Sequence, residues 1–313
     1  MENRNNVSKF ILLGLSQNAA VQKACFVLFL LIYVVIVLGN GLIVVTVKFT
    51  QCLHTPMYFF LSILSFVDIC YSSATVPKLI EGLLLEDKTI SYQGCIMQLF
   101  SVHIFGCIEI LILTVMAYDR YVAIRKPLHY VTIMNRHVCS WMVAASGLGG
   151  FVHSIVQTLL TIQLPFCGSN EIDHYFCDVF PLLKLACADS HLVGALVVAN
   201  TGMIALLFSC FLVISYIIIL VALRTHSSEG RCKTLSTCAP HFTMVLLLFG
   251  PCLFIYIRPS TTLPVDKVFS LFYTIITPML NPIIYTLRNA EMKSAMGKLW
   301  EKKEEARQKK LIG

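Results

Sequence analysis

The sequence predicts an all-α membrane protein: a seven-transmembrane helix bundle followed by a short C-terminal interfacial helix. Three observations lead there. Charge is scarce, with 13% of the 313 residues charged and 57% hydrophobic, whereas soluble domains carry about 25% charged residues. Apolar stretches recur that reach the roughly 20 residues a helix needs to cross a bilayer. Each is too long and too evenly apolar for a strand of a membrane barrel, which is shorter and alternates.

Seven spans follow along the chain, at about 24–47, 57–80, 96–122, 139–163, 193–223, 235–257 and 267–287. The bundle therefore occupies 24–288, between an N-terminal tail (1–23) and a C-terminal tail (289–313). The first 23 residues hold no short apolar core with a small-residue cleavage site, so the first span is expected to target the chain. Lys and Arg favour the cytosol. With the N-terminus outside, sixteen of the 24 basic residues fall in cytosolic segments. They are Lys48; Arg120, Arg125, Lys126 and Arg136; Arg224, Arg231 and Lys233; and eight from Arg288 to Lys310. Acids such as Glu86, Asp87, Glu171, Asp173 and Asp178 fall outside. The same orientation exposes Asn6-Val7-Ser8, a glycosylation sequon, to the lumen. The net charge of +7 then reads as a cytosolic face meeting anionic lipid, and nucleic-acid binding is excluded. The expectation is a multi-pass plasma-membrane protein with its N-terminus extracellular and its C-terminus cytosolic.

The thirteen cysteines divide by side. Cys95, Cys167, Cys177 and Cys187 lie outside; Cys52, Cys232 and Cys238 lie inside; the rest sit in helices. Only the outer four meet an oxidising compartment, and four cysteines allow three pairings. The outer loop at about 164–192 carries three of them. A connection this long is commonly functional, and its cysteines suggest an ordered lid.

Polar residues within the spans are costly and so informative. Asn40 lies in the first span, Ser65 and Asp68 in the second, Glu109 in the third and Asn281 in the seventh. They form either a structural polar cluster or a pocket for Na+. Asp119-Arg120 closes the third span at the cytosolic edge and suggests a switch there. Tyr216 in the fifth span and Tyr285 in the seventh lie at similar depth. Pro282 bends the seventh helix, and the Asn281 side chain is placed to bond the freed backbone. His103 and Cys107, four apart, are expected to line a pocket and not to hold a metal. Met292, Met296, Leu299 and Trp300 recur at helical spacing, as in a helix lying in the interface. There is no HExxH, P-loop or Gly-x-Ser-x-Gly motif, and no enzyme activity is expected.

Several motifs then coincide in order. They are Gly39-Asn40, Leu53-His-Thr-Pro-Met-Tyr-Phe-Phe-Leu61, Met116-Ala-Tyr-Asp-Arg-Tyr-Val-Ala-Ile124 and Lys126-Pro-Leu-His-Tyr130. Further along come Ser215-Tyr216, Lys233-Thr-Leu-Ser-Thr-Cys238 with His241, and Pro278-Met-Leu-Asn-Pro-Ile-Ile-Tyr-Thr-Leu-Arg-Asn289. Together these resemble the vertebrate olfactory (odorant) receptors of the tetrapod-type class, a branch of the rhodopsin-like G-protein-coupled receptors, over essentially the whole chain. The resemblance implies disulfides Cys95–Cys177 and Cys167–Cys187, and a polar core at Asp68 and Glu109 that takes Na+. It also implies a G-protein switch built from Asp119, Arg120, Tyr121, Tyr216, Asn281, Pro282 and Tyr285. The partner would be a stimulatory, olfactory-type G protein that raises cyclic AMP. Three positions depart from the family pattern. Arg125 stands where Cys is usual, Pro240 where Ser commonly precedes His241, and Phe249-Gly250 where Tyr-Gly is common.

Counting turns outward from Arg120 and Tyr216 places the ligand site in the outer half of the bundle. Leu99, Val102, His103, Gly106 and Cys107 reach it from the third span and Asn200, Thr201 and Ile204 from the fifth. Phe249, Cys252, Leu253 and Tyr256 reach it from the sixth, and Leu271 and Thr274 from the seventh. About half are expected to touch ligand. None is strongly charged, so the expected ligand is a small, mostly apolar neutral volatile. In the resting state Asp119 is expected to hold Arg120. Two rivals were weighed. A transporter or channel would need a polar path or inverted repeats, and the chain shows neither. Another rhodopsin-like receptor, for an amine or peptide, fits less well, because Val102 and His103 stand where an amine receptor has Asp.

Overall fold

The computed structural model describes residues 8–16, 18–85, 87–166, 169–186, 191–223, 228–256, 265–288, 291–299, 301 and 308. At 191, 222–223, 228–234, 236, 237, 240, 256 and 286–288 only the backbone is described. Asn6, Cys167, Cys187 and Trp300 lie outside the described residues, so the sequon and the second disulfide are not on view.

The bundle is built from α1 (Ala19–Phe49), α2 (Pro56–Leu84), α3 (Tyr92–Arg125), α5 (Arg136–Ile162), α7 (His191–Leu223) and α8 (Ser228–Tyr256). A last helix runs as α9 (Asp266–Leu271), a wider-wound turn (Phe272–Ile276) and α10 (Thr277–Arg288). Two short helices, α4 (Tyr130–Ile133) and α6 (Val179–Lys184), lie in the links. Residues 291–299 form the C-terminal helix, α11. Its Met292 and Ala295 are buried against the bundle.

Local chemistry sets the helix starts. Asn18 Oδ1 accepts from the N–H groups of Ala20 and Val21 at 2.9 and 3.3 Å. Ser91 caps α3 through Gly94 N–H at 3.0 Å, and Asn135 caps α5 through Val138 N–H at 3.0 Å. Each cap satisfies donors that the first turn leaves open. Pro56 opens α2, where its missing N–H costs nothing.

Among the described residues, six helices are long and apolar enough to cross a membrane. In α8 the apolar stretch among the described residues is His241–Ile255. The helix nevertheless starts at Ser228, seven residues before the expected span, because its polar first part continues winding beyond the hydrocarbon. α2 and α3 bury half or more of their apolar windows, whereas α1, α5 and α7 bury less than a third. Exposed Leu31, Leu38, Leu148, Met203 and Leu207 lie on those outer helices, where lipid covers them.

α3 runs through the middle and crosses α5 closely. A methyl group on Gly150 would stand 2.6 Å from Ile108 Cγ1 and 2.9 Å from the Ile104 carbonyl oxygen. Small residues allow such approaches in membranes. Beside the crossing, Ser154 Oγ donates to the Phe100 carbonyl at 2.6 Å.

A lid covers the end of the bundle opposite Arg120. The N-terminal tail is part of it, which the sequence reading did not anticipate. β1 (Lys9–Leu12) lies between β2 (Thr89–Ser91) and β3 (Glu171–Ile172), antiparallel to the first and parallel to the second. Phe10 and Leu12 point inward and are buried. A disulfide joins Cys95 of α3 to Cys177 of the lid. Gln98 adds a second fastening: its Oε1 accepts from Cys177 N–H and its Nε2 donates to the Ala74 carbonyl, both at 2.9 Å. Lys267 Nζ bridges Asp173 Oδ1 at 2.5 Å and the Gly14 carbonyl at 3.2 Å. This ties the tail, the lid and the start of the last helix together.

His174 sits within this lid, stacked on Tyr175 with ring centroids 4.7 Å apart and edge-on to Phe176 at 4.5 Å. Burial, then the charge of Lys267, push its pKa down to about 3 from 6.5, so the folded lid holds a neutral ring.

Two predictions follow from the packing and the lid. Gly150→Ala lowers the thermal unfolding midpoint, with a destabilisation of about 1–3 kcal/mol for an overpacked contact. Gly147→Ala, where nothing stands within 4 Å, leaves it unchanged; equal effects would refute the crossing argument. As pH falls from 6.5 towards 3, the unfolded lid takes up a proton that the folded lid refuses. Lid stability should drop by about 1.4 kcal/mol per unit over that window. Hydrogen exchange of residues 170–178 at successive pH values measures this, and His174→Phe should flatten the slope.

Candidate functional site

Beneath the lid lies a small, partly open cavity. α2 contributes Tyr71, and α3 contributes Val102, His103, Gly106, Cys107 and Ile110. His153 comes from α5, Thr201, Ile204 and Ala205 from α7, Leu248 and Cys252 from α8, and Tyr273 from the wide turn. Apolar side chains dominate the wall, with a few polar groups among them.

Seven of the fourteen expected ligand residues line it: Val102, His103, Gly106, Cys107, Thr201, Ile204 and Cys252. The others do different work. Leu99 packs under the lid with Cys95 and Phe166. Phe249 is buried in the main core and Leu271 packs against it. Asn200 donates to His153 Nδ1 at 3.2 Å. Thr274 donates to the Ser270 carbonyl and accepts the Tyr175 hydroxyl at 2.8 Å, which pins the lid. Leu253 is half-buried outside the lining, and the Tyr256 side chain lies outside the described residues.

Tyr71, Ile110, His153, Ala205, Leu248 and Tyr273 line the cavity without having been expected. His153 was the readable one, being a histidine in an apolar span. Tyr273 depends on the wide turn. Tyr273, Thr274 and Ile275 are consecutive and all buried, and the wider winding changes the angle between successive side chains there.

Below the cavity, polar side chains meet between α1, α2, α3 and the last helix. Asn281 Nδ2 donates to Asp68 Oδ2. This corrects the expectation that Asn281 bonds the backbone freed by Pro282. Asn40 Nδ2 bridges the Ile36 and Pro278 carbonyls at 3.1 and 2.9 Å. Asn40 Oδ1, Ser65 Oγ, Asp68 Oδ1, both Glu109 oxygens and Asn281 Oδ1 are buried without hydrogen-bond partners. These are all oxygen atoms, the donor type that suits a hard cation. No group of three or more His, Cys, Asp or Glu among the described residues suits a metal ion.

At the far end, Asp119 does not hold Arg120. Its Oδ1 accepts the Tyr130 hydroxyl at 2.7 Å. Burial and the Asp119 carboxylate push the Tyr130 phenol well above its usual pKa, so it remains a donor. Arg120 Nη2 is buried and unpartnered, and its charge reaches Tyr216, His241 and Tyr285. Tyr216 donates to His241 Nδ1, and His241 Nε2–H donates to the Leu113 carbonyl at 3.0 Å. These bonds link α7, α8 and α3. Tyr121 packs against the same cluster as Tyr216, Ile219 and Cys238. Pro282 is buried against α1, where a methyl on Gly39 would stand 2.9 Å from its Cγ.

Residues 29–303 match the olfactory receptor family. Olfactory receptor 4S2 of Homo sapiens is 63% identical over 300 residues, covering 96% of both chains. Olfactory receptor 4B13 of Mus musculus is 58% identical over 304 residues, covering 97% of this chain and 100% of that one. Olfactory receptor 4X2 of Homo sapiens is 59% identical over 294 residues, covering 94% and 97%. With its apolar helices, the cavity under a disulfide-tied lid and no enzymatic relatives among these matches, this chain belongs to the olfactory receptor family, a multi-pass membrane family of G-protein-coupled receptors.

Proposed function

We propose that this odorant receptor binds a small, mostly apolar neutral volatile in the cavity under the lid and activates a stimulatory, olfactory-type G protein, raising cyclic AMP. One observation carries the ligand reading: a cavity under the lid whose lining, among the described residues, holds no carboxylate, ammonium or guanidinium. A charged ligand would find no counter-charge in that wall, and an uncompensated buried charge is costly. The cationic links then lie in the cytosol and the lid outside, by the excess of Lys and Arg at the Arg120 end. Asn6 would carry the glycan, and the Phe166–Ala186 bridge supports pairing of the cysteines that follow each, Cys167 and Cys187.

The ligand acts by shifting a population, so its affinity must differ between two arrangements of the bundle. In the proposed mechanism α8 moves away from α3 and frees the buried face of Arg120 for the G protein. The unpartnered Nη2 of Arg120 and hydroxyl of Tyr285 then gain partners. Na+ would sit among the buried oxygens of Asn40, Ser65, Asp68, Glu109 and Asn281 and hold α8 in its resting place through α3.

Arg120→Ala should reach the cell surface as the wild type does yet lose odorant-stimulated cyclic AMP. A normal response at normal surface expression sinks the switch. For the cation, Na+ in place of choline should raise the thermal midpoint of the purified receptor, and Asp68→Asn should abolish that rise. A sodium effect that persists in the variant argues for a polar cluster without an ion.

A further inference from the structure

The polar atoms of the cavity wall include donors without a hydrogen-bond acceptor, and this selects a ligand chemistry. Thr201 Oγ1 already accepts from Gln157 Nε2, and its hydroxyl proton has no acceptor among the described residues. His153 Nδ1 faces Asn200 Nδ2. An amide nitrogen can only donate, so Nδ1 accepts and the ring proton sits on Nε2. His103 is 5% exposed, and its Nε2 has no hydrogen-bond partner. The Asp178 carboxylate, 3.9 Å from that nitrogen, favours the tautomer with the proton there. The two imidazoles meet edge to face with centroids 5.6 Å apart, so both belong to one corner of the cavity. Tyr273 donates to Ser270 Oγ at 2.9 Å, and its oxygen and the Tyr71 hydroxyl, which also lines the wall, can accept. Among the described residues no carboxylate or carboxamide lines the wall.

We infer that the ligand is a neutral molecule bearing a hydrogen-bond acceptor, a ketone or ester carbonyl, held by the Thr201 hydroxyl and the His103–His153 corner. Its hydrocarbon lies on Val102, Ile204 and Leu248. This rests on the cavity being the ligand site. A hydrocarbon would leave the buried donors unpaired, and a site built to hydrogen-bond discriminates strongly against a ligand lacking the matching group. An ammonium supplies only donors and so leaves the Thr201 and His103 protons unpaired. A carboxylate would bring a charge that no cation in the wall offsets.

The test is a concentration–response series on surface-expressed receptor with octanone, hexyl acetate, octane, octylamine and octanoic acid. Octanone and hexyl acetate should act at roughly tenfold lower concentration than octane, the worth of a good hydrogen bond, and the two charged compounds should be inactive. Thr201→Val should weaken octanone about tenfold while leaving octane unchanged. Gln157 then keeps the Val197 carbonyl at 3.3 Å, so that variant leaves it a partner. Thr201→Ser, which restores the hydroxyl, should respond as the wild type does. Octane matching octanone, octylamine leading the series, or silence from every ketone and ester overturns the inference. So does a Thr201→Val variant that weakens octane as much as octanone. A separate arm fills the cavity with Ala205→Trp, or with Gly106→Val should the first fail to reach the surface. An undiminished octanone response in that arm sinks the cavity as ligand site, which is a different failure.

Discussion

Hydrocarbon supplies no hydrogen-bond partners, and the bundle is arranged around that constraint. Aliphatic side chains take the lipid-facing surfaces of α1, α5 and α7. Polar side chains gather where helices face one another, and α3 takes part in several of these links. Gln98 fastens it to α2 and the lid, Ser154 to α5, and His241 to α8. Native interiors leave few buried polar groups unpaired, so the exceptions are informative. Many fall at His103 in the cavity, at Asn40, Glu109, Ser65 and the Asp68–Asn281 pair in the core, and at Arg120 and Tyr285 at the far end, while Thr46, Gln157, Thr158 and Thr277 carry the others. The cavity, the core and the far end are the places where we put a ligand, an ion and a G protein.

The seven spans and the family were readable because both are written in local sequence: apolar length, cationic links and contiguous motifs such as Met116 to Ile124. Half of the cavity was readable for the same reason, since counting turns along one helix predicts which residues share a depth. The remainder depends on pairings between distant segments. Nothing local announces that Lys9–Leu12 will find Thr89–Ser91 and Glu171–Ile172, because a four-residue strand has too little pattern to stand out from a polar tail. The wide turn at Phe272–Ile276 re-aims Tyr273 and Thr274, and no Gly or Pro within it signals the change of pitch. Asp119 beside Arg120 invited an ion pair by adjacency. Successive helix residues, however, point about 100° apart, and the Tyr130 hydroxyl of the following link meets Asp119 instead.

The cavity and the Arg120 end share rigid elements, and this makes coupling between them mechanical. On α8, His241, Met244, Leu248 and Cys252 fall at spacings of three and four, so one face carries both the cavity wall and the His241 bonds. Leu248 is seven residues from His241, about 10 Å along the axis. On α7, Thr201, Ala205, Leu212 and Tyr216 likewise share one face. A ligand that presses on Leu248 and Cys252 therefore acts on a lever whose far end is held by two hydrogen bonds, from Tyr216 and to the Leu113 carbonyl. Each is worth about 1 kcal/mol net, whereas a micromolar ligand brings about 8 kcal/mol of binding free energy. Only the part of that energy which differs between the two arrangements can break the link. In the proposed mechanism the resting state is thus secured by contacts that lie away from the cavity.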